Sequence, residues 1–185
     1  MNTKTKKLST VSMVLCGMFA ALVAIGAFIQ IPVPYMDYFT LQFFFVLLAG
    51  LILGADKGAI SVGCYVLLGL VGVPIFAAGG GYIFRPSFGY LVGFIVSAYV
   101  TGKVCEKLKA SYKNYLLACL AGFVVTYAIG IVYKFIILNF YAHTPATLGV
   151  IFLSCFPLDM PGDFVLCLLA AGVGLRMRKS GFYLS

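Results

Sequence analysis

Arg85 stands apart from the other cations of the chain. It follows three consecutive glycines, Gly79, Gly80 and Gly81, and the aromatic Tyr82, and it precedes Pro86. Glycine allows positive φ and close backbone approach to a bound molecule, whereas proline fixes φ and suits the start of a helix. The stretch therefore predicts a compact loop that holds a planar, five-donor guanidinium beside a helix entrance, where it can meet a carboxylate or a urea-type oxygen. A headgroup-facing arginine is the plainer alternative. In the second such stretch, Pro161 and Gly162 predict a helix start and Asp163 falls in the first turn, where the helix dipole favours an anion. Asp163 can accept from ligand N–H groups, pair with Arg85, or serve as an ordinary N-terminal helix carboxylate.

Other chemistries lack their residues. The sole histidine, His143, has no positioned nucleophile or paired carboxylate beside it in sequence, so no catalytic residue is assigned. Six cysteines are scattered singly with no Cys-x-x-Cys pair, which reads as apolar packing rather than a metal site. The glycine run is not followed by Lys-Ser/Thr, so the chain has no phosphate-binding loop for ATP of that type.

These residues must be positioned by elements that live in lipid. Of 185 residues, 63% are hydrophobic and 10% charged, with a mean hydropathy of +1.09, too apolar for a water-facing domain. Apolar segments at about 11–31, 40–54, 58–72, 87–104, 114–138 and 162–177 predict an all-α integral membrane protein with six transmembrane helices in a single membrane domain, 1–185. The first run resembles a signal peptide but is too long and lacks a small-residue cleavage site, so it is read as a retained span. The second and third are short for a bilayer and could instead form a hairpin dipping into it.

The net charge of +8 sits at segment ends and speaks for orientation rather than nucleic acid. With the N-terminus inside, Lys4, Lys6, Lys7, Lys57, Lys103, Lys107, Lys109, Lys113, Arg176, Arg178 and Lys179 are cytoplasmic, leaving Arg85 and Lys134 toward the outside. Both termini are then cytoplasmic, and the outer connections 32–39, 73–86 and 139–161 carry the binding chemistry. Tyr35, Tyr38, Phe39, Tyr82 and Tyr141 fall at the outer boundary, as belt residues or pocket lining. Ala20 and Ala24 share one face of the first span, with Gly17 and Ala21 beside them, and small faces let another helix approach closely, whether a partner's or one packed within the chain itself. The span centres are nearly uncharged, which leaves a protein able to bind but without an engine of its own.

Leu-Gly-x-x-Gly-Val-Pro-Ile-Phe with its glycine run, Arg-Pro-Ser-Phe-Gly-Tyr-Leu-Val-Gly-Phe and Phe-x-x-x-Met-Pro-Gly-Asp together resemble BioY, the biotin-specific substrate-binding family of energy-coupling factor (ECF) transporters, over nearly the whole chain. The resemblance implies a cell-membrane S component that captures biotin or a close analogue from outside. It would dock through the Ala20/Ala24 face on a transmembrane coupling subunit driven by two ATPase subunits. No cofactor is implied, and ATP belongs to the partners. Arg85, Asp163 and backbone groups of Gly79 to Gly81 would hold the polar ring, with Tyr82 and other aromatics around the tail. One position departs: the family pattern Pro-Gly-Asp-x-x-Lys has Leu166 in place of its lysine. Either Lys134 supplies the cation from a neighbouring helix, or the ligand differs from biotin. A self-sufficient carrier or channel for a small organic solute is the rival reading.

Overall fold

The structure, a computed structural model, describes residues 9–31, 39–77, 82–142, 144, 146–155 and 159–181. In lipid every backbone polar group has to be satisfied within the chain, and an apolar sequence answers with helices. α1 (Thr10–Phe28) starts at Ser9, whose hydroxyl accepts from the Ser12 amide at 3.2 Å. α2 (Gln42–Leu53) and α3 (Ala55–Leu70) are joined by Gly54 alone, at φ 81°, a left-handed turn that glycine adopts without steric cost. The Ala55 amide opening α3 donates to Glu106 Oε1 at 2.8 Å, which satisfies one of the orphan donors of a helix start.

α4 (Phe88–Lys107) and α5 (Tyr112–Ile136) pack along their length, and Ser111 caps α5 by accepting from the Asn114 amide at 3.3 Å. α5 continues as a π-helical turn, Ile137–Tyr141. α6 (Leu148–Cys155) and α7 (Asp159–Lys179) follow. Two short strands, β1 (Gln30–Ile31) and β2 (Phe39–Thr40), pair antiparallel between α1 and α2.

Each of the six apolar segments carries a helix. Four are long and apolar enough to cross a membrane: Thr10–Phe28, Phe88–Lys107, Tyr112–Tyr141 and Asp159–Lys179. α2, at 12 residues, is about 18 Å long at 1.5 Å per residue. It is apolar all round because it is the interior of the bundle: ten of its residues are buried, and it touches α1, α3, α4, α5 and α7.

Three local expectations change. The connection 139–161 is not simply a loop: the apolar run from Leu148 to Cys155 folds as α6, with the Val150 amide directed at Thr147 Oγ1, 3.4 Å away. α3 runs from Ala55 to Leu70 rather than over 58–72, and Gly72 turns the chain just after it at φ 109°. α7 begins at Asp159 rather than at Pro161, which sits within the first turn where its missing N–H costs nothing. Asp163 is therefore in the second turn.

The helix ends sort into two groups. One end of the bundle gathers Asp56, Lys57, Lys103, Glu106, Lys107, Lys109, Lys113, Arg176, Arg178 and Lys179. The other gathers the ends of α2, α4, α5 and α7 that carry Arg85, Lys134, Asp159 and Asp163, with α6 across them.

Candidate functional site

A cavity of about 560 Å³ opens among the helices at the charge-poor end, within the range of small-molecule sites. Its apolar wall includes Phe39, Phe43, Leu91, Phe94, Leu138 and Ile151. Its polar groups are Thr40, Gln42, Ser87, Tyr90, Tyr127, Lys134, Ser154, Asp159 and Asp163. Two carboxylates and one ammonium thus face one largely apolar space.

Each charged group is held differently. Asp163 Oδ2 accepts from the Tyr127 hydroxyl at 2.8 Å. The Tyr127 ring stands edge-on to Tyr90 at 5.7 Å and against Phe123 at 4.7 Å, which fixes the hydroxyl's direction. Lys134 Nζ donates to Ser154 Oγ at 3.3 Å, and the Ser154 hydroxyl donates in turn to the Ile151 carbonyl at 2.6 Å. Asp159 is left with an oxygen, Oδ1, that is buried without a hydrogen-bond partner, and Ser87 Oγ is in the same state.

The wall is tied to elements behind it. Gln42 Oε1 accepts from Thr40 at 3.2 Å while its amide donates to the Tyr65 hydroxyl at 2.6 Å, and Tyr65 donates to the Ile75 carbonyl at 3.2 Å. On the α6 side, the Asn139 amide donates to the carbonyls of Phe135 and Ala146 at 3.0 and 2.9 Å, and the Ala146 amide donates back to Asn139 Oδ1 at 3.2 Å. Tyr90 Oη and Cys155 Sγ are 3.1 Å apart. These contacts hold α6 across the cavity.

Of the residues singled out in the sequence, Asp163 and Lys134 meet in the cavity wall. Arg85 is half-buried next to Pro86 and Ser87, which are in the wall, but is not itself part of it. Gly79, Gly80 and Gly81 lie outside the described residues, as do Tyr35, Tyr38 and His143, and Tyr82 opens a single 3-10 turn, Tyr82–Phe84. Leu166 is 5% exposed and packs in the core, away from the cavity lining.

The two alanines expected to dock a partner do not lie on the open side of α1. Ala20 is 7% exposed and faces the bundle, and Ala24 packs partly against the core. The open small residues of α1 are Gly17 and Ala21, with Val14, Met18 and Ile25 on the same outer side. Spacing told which residues share a face, but not which way that face turns.

Asp159, Ser87, Tyr90 and Tyr127 line the cavity without having been singled out in the sequence. Asp159 lies four residues before Asp163, so helical periodicity places both on one side once the helix is begun at the right residue.

The chain matches the BioY family over residues 1–181. It is 39% identical over 177 residues to a protein of Lysinibacillus sphaericus named "Probable biotin transporter BioY", covering 94% of this chain and 90% of that one. It is 38% identical over 169 residues to the "Biotin transporter BioY" of Thermotoga maritima, covering 88% and 93%. A crystal structure described as the S-component for biotin from an ECF-type ABC transporter superposes with a TM-score of 0.82 at 25% identity, covering 99% of this chain and 97% of that one. With its motifs, its helical architecture and its length all matched, this chain belongs to the BioY family.

Proposed function

We propose that this chain is the substrate-binding subunit of an ECF-type biotin importer, a single membrane domain of six crossings with both termini in the cytoplasm. The observation that carries the reading is the cavity at the charge-poor end, in a chain whose relatives, matched over nine-tenths of their length, are named biotin transporters. The cation-rich opposite end then faces the cytoplasm, in keeping with the positive-inside rule.

Biotin is a rod with N–H donors on a cyclic urea at one end and a carboxylate at the other. The cavity has a matching polarity. Asp163, oriented by Tyr127, is an acceptor for a urea N–H. Lys134 lies seven residues further along α5 than Tyr127, about 10 Å at 1.5 Å per residue, and supplies the cation for the carboxylate. Phe39, Phe43, Leu91 and Phe94 line the apolar body. Leu166 thus need not be a lysine, since the charge comes from α5. Arg85, beside the wall, adds positive potential at the mouth, and Gly79, Gly80, Gly81 and Tyr82 remain candidates for ligand contact.

A transmembrane coupling subunit and two ATPases supply the energy, and no ATP binds here. The coupling subunit meets α1 at Gly17 and Ala21, where a Cβ added at Gly17 meets nothing within 4 Å. Ala21→Trp is expected to spare biotin binding and abolish uptake in cells, and normal uptake would remove α1 from the docking surface. The reading itself is tested by binding of radiolabelled biotin to the purified chain in detergent, with competition by unlabelled biotin, dethiobiotin and lipoate. Tight, saturable binding displaced by biotin is expected. Absence of saturable binding would overturn the assignment.

A further inference from the structure

We propose that Asp159 is a second ligand-binding carboxylate, taking one urea N–H while Asp163 takes the other. The inference deepens the biotin reading and rests on it.

Three observations lead to it. First, Asp159 lines the cavity four residues from Asp163 on α7. Residues so spaced stand about 5–6 Å apart on one helix face. A cyclic urea presents two N–H groups that diverge from the ring, so two acceptors on neighbouring turns can receive one each. Second, the two carboxylates are satisfied unequally. Asp163 already accepts from Tyr127, whereas Asp159 Oδ1 is buried with no hydrogen-bond partner. A buried acceptor left unpaired is costly, and a carboxylate oxygen more so than a hydroxyl, so one that faces a cavity calls for a donor from outside the chain.

Third, the wall repeats the pattern. Ser87 occupies the N-cap of α4, the position whose hydroxyl ordinarily accepts from the first helical amides. It makes no such bond, and its buried Oγ is also without a partner. The other unpartnered buried side-chain atoms among the described residues, the hydroxyls of Ser97, Thr101 and Thr126, lie outside the cavity lining, so only those of Ser87 and Asp159 are placed to meet a polar guest. Lys134 in the same wall keeps the additional negative charge from standing unopposed.

A residue that serves binding and not folding has a signature. Removing Asp159 deletes an unpaired buried group, so the ligand-free protein should melt at the same temperature or higher, while ligand affinity falls. The test compares the full-length wild type, Asp159→Ala and Asp159→Asn in detergent, by radiolabelled-biotin binding and thermal unfolding without ligand. It adds biotin methylated on one or the other urea nitrogen. Asp159→Ala is expected to weaken biotin by about tenfold or more with no loss of thermal stability. One of the two methyl substitutions should weaken wild-type binding and leave the Asp159→Ala affinity unchanged.

Unchanged biotin affinity in Asp159→Ala overturns the proposal and leaves the biotin reading standing. A loss of affinity matched by a fall in thermal stability in both variants also overturns it, because that is the mark of a structural role. If the wild type itself shows no saturable biotin binding, the biotin reading falls and this inference falls with it.

Discussion

Ser9 and Ser111 each stand at a helix start at the charge-rich end, and each accepts a backbone N–H there. Ser87 stands at the equivalent position of α4 at the cavity end and caps nothing. The acidic residues divide in the same way. Glu106 receives the Ala55 amide and lies 3.7 Å from Lys103 Nζ, whereas Asp159 keeps an unpartnered oxygen against the cavity. Arg178 donates to the Tyr115 hydroxyl at 3.0 Å, and Asn114 donates to the Lys109 carbonyl at 2.8 Å. At one end these polar groups complete the fold, whereas Asp159 and Ser87 at the other each keep a buried atom unused beside the cavity. The same residue types are stabilising or available according to whether a neighbour in the chain uses them.

The contrast predicts that substitutions at the cavity end change binding without unfolding, and that those at the other end do the reverse. The largest effect should come from Lys134→Met, which removes the cavity's cation but keeps an apolar side chain of similar length. A hydrogen bond to a charged group contributes about 1.5–3 kcal/mol, so biotin affinity should fall by roughly 10- to 150-fold with thermal stability retained. Arg85→Ala, beside the wall, should cost less. Equal losses in the two variants, measured by radioligand binding, would move Arg85 into the contact shell and break the assignment of the ligand's anionic end to Lys134.

Gly50→Ala probes the packing that holds the other end of the bundle. A Cβ there meets the Ala98 carbonyl oxygen at 2.5 Å and Thr101 Cβ at 3.1 Å. Overpacking of this kind costs about 1–3 kcal/mol, read as a lower thermal midpoint, while the affinity of the folded fraction stays as in the wild type. The smallest effect should follow from Asn139→Ala, which removes the clip to Ala146 and leaves α6 held by its remaining contacts. At about 0.5–1.5 kcal/mol for a typical hydrogen bond, it should weaken binding severalfold. Unchanged affinity would show that α6 covers the cavity without that clip.

Much of the helical layout was legible because lipid demands long apolar runs, and the runs and charge clusters are plain in the chain. Which side of each helix faces inward was not. In water a polar face marks the outside, but here α1 is apolar all round, so Ala20 and Ala21 read alike although one is buried and the other open. Asp163 was reached through its Pro-Gly context, and Lys134 through the missing charge at position 166. Asp159 escaped because Pro161 was given the role of helix start. A proline fits several positions of the first turn, and the two-residue difference decides which carboxylates count as neighbours. α6 escaped because eight apolar residues are too few to register as a span.

The bond between Lys134 and Ser154 spans two elements that need not move together, α5 and α6. An ammonium has three protons to give, and Ser154 takes one. An anion that takes another becomes a strut between the deep helix and the short one lying over it. Such an anion adds one more contact to those that already tie α6 to α5. Differences in affinity among ligands with and without that anion should therefore fall mainly in residence time rather than in the rate of arrival.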